Sequence, residues 1–503
     1  MPSGTGGESR HEFTPLVLDR TVIAIPLLRE LAAEEGRRAS TADLQPVLYP
    51  VIIDANLAYR QGRDAARAQI RGLIDDILST GGSVEGEGVN DAKTNVSNQY
   101  VFARLEGSVI RELVRRDAAG PPGSQRSIYH IWPDFPVKAL ITKSVQTVKA
   151  DAARASFSAS GEGVVWAVLD SGIDQAHRHF SKHMNLSSGL DEDFTGENQP
   201  FRDMFGHGTH VAGIIAGEVQ VADAQPPDRQ PLLAFSRYRD ESGEIKYEKQ
   251  ELSAISGMAP RCQLVSMKVL DDHGDGLASN LIAAIERIQQ INGNGRWLRI
   301  HGVNMSVGYD FEPEWFACGQ SPLCVEVDRL VRTGVVVVVA AGNTGYGWAQ
   351  SAAKGAVAAG MDLTINDPGN AELAITVGST HRDMPHVYGV SYFSSKGPTG
   401  DGRPKPDLVA PGEKIISCAS GRKREEARVN AGMDCDYIED SGTSMAAPHV
   451  SGVIAAFLSV RREFIGRAEL VKEIFLSTAT DLKRDRSFQG HGLVDLMRAI
   501  QSV

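Results

Sequence analysis

Residues 164–174 read VVWAVLDSGID, a short apolar run that stops on a carboxylate. The run does not alternate apolar with polar, so it suits a strand covered on both faces. The same signature recurs at Gln263–Val269, Ile300–Met305, Val335–Ala340 and Leu373–Val377. Helical spacing fills the gaps, as at Leu277–Asn292 and Cys324–Thr333. Strands alternating with helices predict an α/β fold built on a doubly wound, mainly parallel sheet. In such sheets ligands bind outside the carboxyl ends of the strands. Asp170 stands at one of those ends.

This pattern occupies residues 136–503. Before it the rhythm differs. Residues 1–45 read as a polar arm with a short helical stretch near Ile25–Glu34. From Pro46 a β-rich run, PVLYPVIIDA (46–55), leads into Leu57–Ser79. There Ala65, Ile70, Leu73, Ile74 and Ile77 recur at helical spacing. A weak strand at Ser83–Val89, a strand at Asn98–Leu105, a helix at Val109–Val114 and a strand at Ser127–Trp132 follow. The predicted order is βαββαβ, a small α+β module over residues 46–135.

A chain of 503 residues with 42% hydrophobic and 23% charged residues has the composition of a globular protein of two or more domains. The formal net charge of −11 argues against a nucleic-acid partner, which would need clustered Lys and Arg. The longest unbroken apolar run, Val335–Ala341, is too short to span a bilayer, so no membrane partner is expected. The first residues, MPSGTGGESRHEF, lack a basic start followed by an apolar stretch. The expected location is therefore cytoplasmic, or outside the cell by another route. Cys262, Cys318, Cys324, Cys418 and Cys435 make an odd set, read as free thiols, although Cys318 and Cys324 bracket a loop that oxidation would close. One segment, 219–256, interrupts the αβ rhythm. Its LLAFSRYRDESGEIKYEKQEL (232–252) predicts a charged surface hairpin, with a docking or sensor element as the sharper option.

Four short motifs carry chemistry. DSGID places Asp170 at the end of a strand. GHGTHVAG (206–213) places His207 just before a helix of small residues. SGTSMAAPHVSG (441–452) places Ser444 at the start of another helix. VVVVVAAGNTG (335–345) ends a strand beside Asn343. A serine hydroxyl needs a base to become a nucleophile, and histidine titrates in the useful range. A buried carboxylate fixes the imidazole tautomer. A helix N-terminal N–H and an Asn amide supply donors to a developing oxyanion. Taken singly, Asp170 reads as a turn cap, His207 as a core histidine and Ser444 as an N-cap; the ordered set is what points to catalysis.

These motifs resemble the subtilisin-like serine proteases over roughly Pro136–Val503, in the order Asp, His, Ser. The resemblance implies Asp170 as orienting acid, His207 as general base, Ser444 as nucleophile and Asn343 as oxyanion donor. His207 and Asn343 also argue against the related carboxyl proteinases. GMAPRCQLVSMKVLDDHGDG (257–276) resembles the family's substrate-edge segment, ending near Gly274 and Gly276. NMSVG (304–308) implies a pocket wall of Ser306, Val307 and Gly308, and Ala340, Ala341 and Gly342 imply the opposite wall. Asn366 and Asp367 align with the pocket floor, where an acid would favour a basic substrate residue. Asp203 is read either as shaping the loop before His207 or as solvated, and His210 and His449 as packing groups. FSSKGPTGDGRPKPDLVAPG (393–412) and GHGLVDL (490–496) match segments that support the core.

The N-terminal module resembles the family's inhibitory propeptide. That implies an autoprocessed zymogen cleaved between Ile131 and Ser144, with the module as intramolecular inhibitor. The resemblance implies no cofactor for the chemistry and brings structural calcium as an expectation. Protein or peptide substrates follow, with a regulatory partner acting through 219–256 as an extension. The competing function is a catalytically silent binding or scaffold protein on a protease fold.

Overall fold

The computed structural model describes residues 22–24, 27–28, 30–34, 46–82, 84–119, 126–133, 143–221, 231–239, 245–311, 317–351 and 355–503. The chain divides into two compact units between Ala139 and Leu140, slightly beyond the change of rhythm at Pro136.

The N-terminal unit is a four-stranded antiparallel sheet. Its order is Gly88–Val89, Tyr100–Glu106, Leu48–Ala55, Ile128–Pro133. Leu48–Ala55 alternates strictly, so Tyr49, Val51, Ile53 and Ala55 face inward. Helix Arg63–Gly81 buries Ala66, Ile70, Ile74 and Ile77, and helix Gly107–Ala118 buries Ile110, Leu113 and Val114. Three details differ from the sequence reading. The first helix begins at Arg63, because Asn56 Oδ1 accepts from Ala58 N at 3.0 Å and a turn consumes the intervening residues. The weak strand near Ser83–Val89 shrinks to Gly88–Val89, and a short polar helix, Asp91–Val96, follows it. Part of the stretch set apart as an arm joins this core: Val22, Ile23, Leu27 and Leu31 are buried, and Ala24 N bonds Ile131 O at 3.0 Å. Residues 134–142, which hold most of the expected cleavage region, lie outside the described residues.

The C-terminal unit is built on a seven-stranded, wholly parallel sheet. Its order is Leu408–Glu413, Ile375–His381, Val336–Ala340, Gly302–Met305, Val165–Asp170, Gln263–Lys268, Glu192–Asp193. The doubly wound α/β architecture is therefore present. Chain order reverses at Val165–Asp170, with successive strands added first on one side and then on the other. That is the topological switch where a crevice opens. Helix Thr443–Val460 packs on the sheet and buries most of its length. Among the described residues it is the one helix long and apolar enough to cross a bilayer, and it is 83% buried within the unit. Its apolarity, spread over alanines and interrupted by Thr, Ser and His, escapes a search for unbroken apolar runs.

The predicted hairpin forms, as Leu232–Arg239 paired antiparallel with Ile245–Leu252. It is more than a solvated loop. Leu232–Arg239 pairs with Tyr437–Asp440, which pairs with Ile415–Cys418, giving a second four-stranded sheet. Phe235 packs with Ala419, Ala427, Cys435 and Ile438 beneath helix Gly421–Ala431. All five cysteines are buried and unpaired.

Three histidines are sealed in this unit as neutral rings. His179 lies against Gly213 O, His210 Nε2 against Ile438 O at 3.0 Å, and His449 Nδ1 against Met445 O at 2.7 Å. Burial pushes His179 and His210 down to about 3 and His449 down to about 4. An unfolded histidine titrates near 6.5. As pH falls below that value the unfolded chain takes up protons that the folded chain refuses, so stability falls with pH. Each group contributes a slope of about 1.4 kcal/mol per pH unit between its two values. Urea unfolding of the Ser444→Ala protein, which avoids self-digestion, is expected to show a lower midpoint at about pH 5 than at about pH 7. His449→Gln should flatten that slope, and equal slopes in both proteins would contradict it.

Candidate active site

Asp170 ends strand Val165–Asp170 and is fully buried. Its Oδ1 accepts from Ser171 N and from His207 Nδ1, each at 2.8 Å. A carboxylate only accepts, so Nδ1 carries the proton and Nε2 is left basic. His207 opens helix His207–Ile215, and its side chain is 14% exposed at the cleft. The residue before it is Gly206, with φ 85°; a β-carbon there would lie 2.2 Å from Ser420 O. Only glycine brings the histidine turn this close to that backbone.

Asp203 shapes this turn. Its Oδ1 accepts from Ser171 Oγ at 2.8 Å and Gly206 N at 2.7 Å, and its Oδ2 accepts from Thr209 N at 2.8 Å and Thr209 Oγ1 at 2.6 Å. Burial pushes its carboxyl upward, against the pull of these hydrogen bonds. Of the two sequence readings of Asp203, the structure supports the loop-shaping one. His210 and His449 are buried in the helices that carry His207 and Ser444, and each bonds a backbone carbonyl.

Ser444 is the second residue of helix Thr443–Val460, where helical geometry leaves the N–H without an intrahelical acceptor. Four residues on, Pro448 has no N–H to offer the Ser444 carbonyl. Ser306 Oγ fills that role at 2.9 Å, and Ser444 Oγ donates in return to Ser306 O at 3.0 Å. Asn304 Nδ2 donates to Ser306 Oγ at 2.9 Å, and Ser451 Oγ donates to Asn304 Oδ1 at 2.8 Å. A buried polar chain thus fixes the Ser444 turn from behind. The hydroxyl rests on Ser306 O in this structure, with His207 on the same cleft. Catalytic hydrogen bonds commonly tighten only when substrate is present.

Asn343 is oriented by its own oxygen. Oδ1 accepts from Thr443 N at 2.9 Å and Thr443 Oγ1 at 3.1 Å. The amide Nδ2 is left as the donor on the cleft side, next to the helix start that carries Ser444.

A cleft of about 540 Å³ gathers these groups. Ser306, Val307 and Gly308 line one part of it, and Ala340 and Gly342 another. Gly274 and Gly276 line its edge. Ala341 does not belong to the wall: it is fully buried, its N–H bonds Val377 O, and its carbonyl accepts from Asn366 N. The chain turns between Ala340 and Gly342, which carries the intervening methyl into the core. Asn366 lines the cleft, held by Thr344 Oγ1 and by its own bond to Asp310 Oδ1 at 3.0 Å. Asp367 does not line it; its side chain is buried and accepts from Asn370 Nδ2 at 2.9 Å. Phe205, Leu270, Asp275, Thr344 and Thr443 also line it, and sequence reading singled out none of them. The Phe205 ring covers Gly274 so closely that a β-carbon there would meet it at 2.7 Å. Among the described residues no group of three or more His, Cys, Asp or Glu side chains is arranged to hold a metal ion.

The profile of the subtilase family matches residues 161–492, about two thirds of the chain, and includes every residue of this constellation. The chain belongs to the subtilase family. It is 29% identical over 379 residues to the serine protease AprX of Bacillus subtilis, covering 72% of each chain. It is 31% identical to pyrolysin of Pyrococcus furiosus over 59% of this chain and 21% of pyrolysin. It is 29% identical to subtilisin E of Bacillus subtilis over 68% of this chain and 67% of that protein. As a subtilase it is a serine peptidase by family, and the chemistry of that family needs no cofactor.

Proposed function

We propose that this subtilase is an active serine endopeptidase, made as a zymogen whose N-terminal unit is its intramolecular inhibitor. The observation that carries the catalytic part is the buried Asp170 carboxylate held 2.8 Å from His207 Nδ1, on the cleft that also receives Ser444 and Asn343. An extended substrate lies as an added strand against 306–308, recognised mainly through its backbone. Rotation of Ser444 about χ1 brings Oγ from Ser306 O to His207 Nε2. His207 takes the proton as Oγ attacks the scissile carbonyl, and Asp170 stabilises the imidazolium. The developing oxyanion receives bonds from Asn343 Nδ2 and Ser444 N–H. His207 then protonates the leaving amine, and water releases the acyl group by the same steps in reverse.

The zymogen part is supported by the N-terminal unit, which has its own buried core and sits directly before the protease unit in the chain. The test uses a fluorophosphonate probe, casein digestion and N-terminal sequencing, with Ser444→Ala as blank. The expected result is labelling of Ser444, casein cleavage, and a new N-terminus between Ile131 and Ser144 that the blank lacks. Failure of Ser444 to label after removal of residues 1–139 would overturn the catalytic proposal. An active protein that keeps its original N-terminus would overturn the zymogen.

A further inference from the structure

Strand Gln263–Lys268 lies in parallel register beside Val165–Asp170, and Lys268 is the partner of Asp170. The Lys268 side chain is wholly buried, an unusual place for an ammonium. Its surroundings explain the burial. Nζ donates to Ser171 O, Arg202 O and Asp272 Oδ1, each at 3.1 Å, and Glu197 Oε2 lies at 3.5 Å. An ammonium has three donors, and here all three are used. Two of them end on backbone carbonyls from two different loops. Ser171 follows Asp170 directly. Arg202 precedes Asp203, the residue that shapes the turn into His207. Asp272 also pairs with Arg202 at 2.8 Å, which closes the cluster.

The geometry points to Lys268 as a positioning residue for catalysis: it ties the loop behind Asp170 to the loop before His207, and so holds the Asp170–His207 hydrogen bond at working length. Lys268 does not line the cleft. Asp203 spans the same two loops through Ser171 Oγ and Gly206 N. The carboxylate therefore binds hydroxyl and N–H donors of these loops, while the ammonium binds their carbonyl acceptors. Substrate walls at 306–308 and at Ala340 and Gly342 stand on other strands, and only the edge at Gly274 and Gly276 closely follows Lys268 in the chain, so the tie acts on the chemical step and leaves both walls in place. The inference rests on the proposed peptidase activity and goes beyond it.

The test is made on the full chain with Lys268→Met, Lys268→Gln and Glu197→Gln. Steady-state kcat and KM are measured on a fluorogenic peptide. The far-downfield proton resonance of His207 Nδ1–H is followed by NMR as a reporter of the bond to Asp170. Lys268→Met is expected to lower kcat at least tenfold with KM within threefold, and to shift or broaden the resonance. Glu197→Gln, which leaves both carbonyl bonds intact, should keep kcat within twofold. A folded Lys268→Met protein with wild-type kcat overturns the inference, as does one with reduced kcat and an unmoved resonance. If Lys268→Met does not fold, Lys268→Gln carries the test. Glutamine is too short to reach both carbonyls, so wild-type kcat and resonance in that variant overturn the tie. The resonance needs no turnover. A wild-type chain that shows it but hydrolyses nothing refutes the proposed activity, and the tie is then judged on the resonance alone.

Discussion

Ser444→Ala is expected to lower kcat for peptide hydrolysis by about 10⁶, the size of the loss when the nucleophile of the related subtilisin is removed. The structure gives the reason that no neighbour rescues the variant. The Ser306 hydroxyl is already bound to Ser444 O and Asn304 Nδ2. The Thr443 hydroxyl is held on Asn343 Oδ1. Neither is free to take the place of Ser444 in front of His207. The methyl of alanine leaves helix Thr443–Val460, the Pro448 gap and the Ser306 bond to the residue 444 carbonyl untouched. With residues 1–139 removed from both proteins, because the variant cannot process itself, KM should therefore stay near the wild-type value while kcat collapses. Residual hydrolysis above the water rate would come from the donors Asn343 Nδ2 and the residue 444 N–H. Steady-state kinetics on a fluorogenic peptide checks this, and a loss of less than tenfold would remove Ser444 from the mechanism.

How much of this was legible in the sequence follows from where each signal resides. The parallel strands were readable because runs such as VVVVVAA have no polar alternation and end on a motif. The same feature hid the fate of Ala341. A strand apolar on both faces carries no record of which residue the turn will bury, and the half-buried Ala340 and buried Ala341 look alike. Lys268 was invisible for a related reason. In QLVSMKVL it reads as a polar interruption, and its partners Ser171 and Arg202 come from loops about 66 to 97 residues away. The Ser306 and Pro448 compensation has the same character, a bond that exists only when two distant segments meet. Phe205 stands two residues before His207, yet nothing in DMFGHGTH tells that its ring will cover Gly274. The hairpin was predicted from its alternation, but its docking was not, since the pairing strand Tyr437–Asp440 lies in the distant C-terminal part.

Asp170→Asn is expected to lower kcat by about 10⁴, the size found when a triad aspartate on another protease fold becomes asparagine. The geometry restricts how the amide sits. Oδ1 of Asp170 accepts from both Ser171 N–H and His207 Nδ1–H, while Oδ2 is buried without a partner among the described residues. An amide NH₂ in the first position would face the Ser171 N–H donor and push the imidazole proton to Nε2, where it blocks acceptance from Ser444. In the second position it would be a buried donor with nothing to bond, at a cost of about 1–3 kcal/mol. Either way the charge that stabilises the imidazolium is gone. Asp170 does not line the cleft, so KM should change little. The sharper check is the double variant Asp170→Asn/Ser444→Ala. Once Oγ is absent there is no proton for His207 to accept, and the carboxylate has no imidazolium to stabilise. The double variant should be no slower than Ser444→Ala alone. A further loss approaching 10⁴ in the double variant would show that Asp170 acts on something other than the Ser444–His207 proton transfer, and the triad assignment would fall.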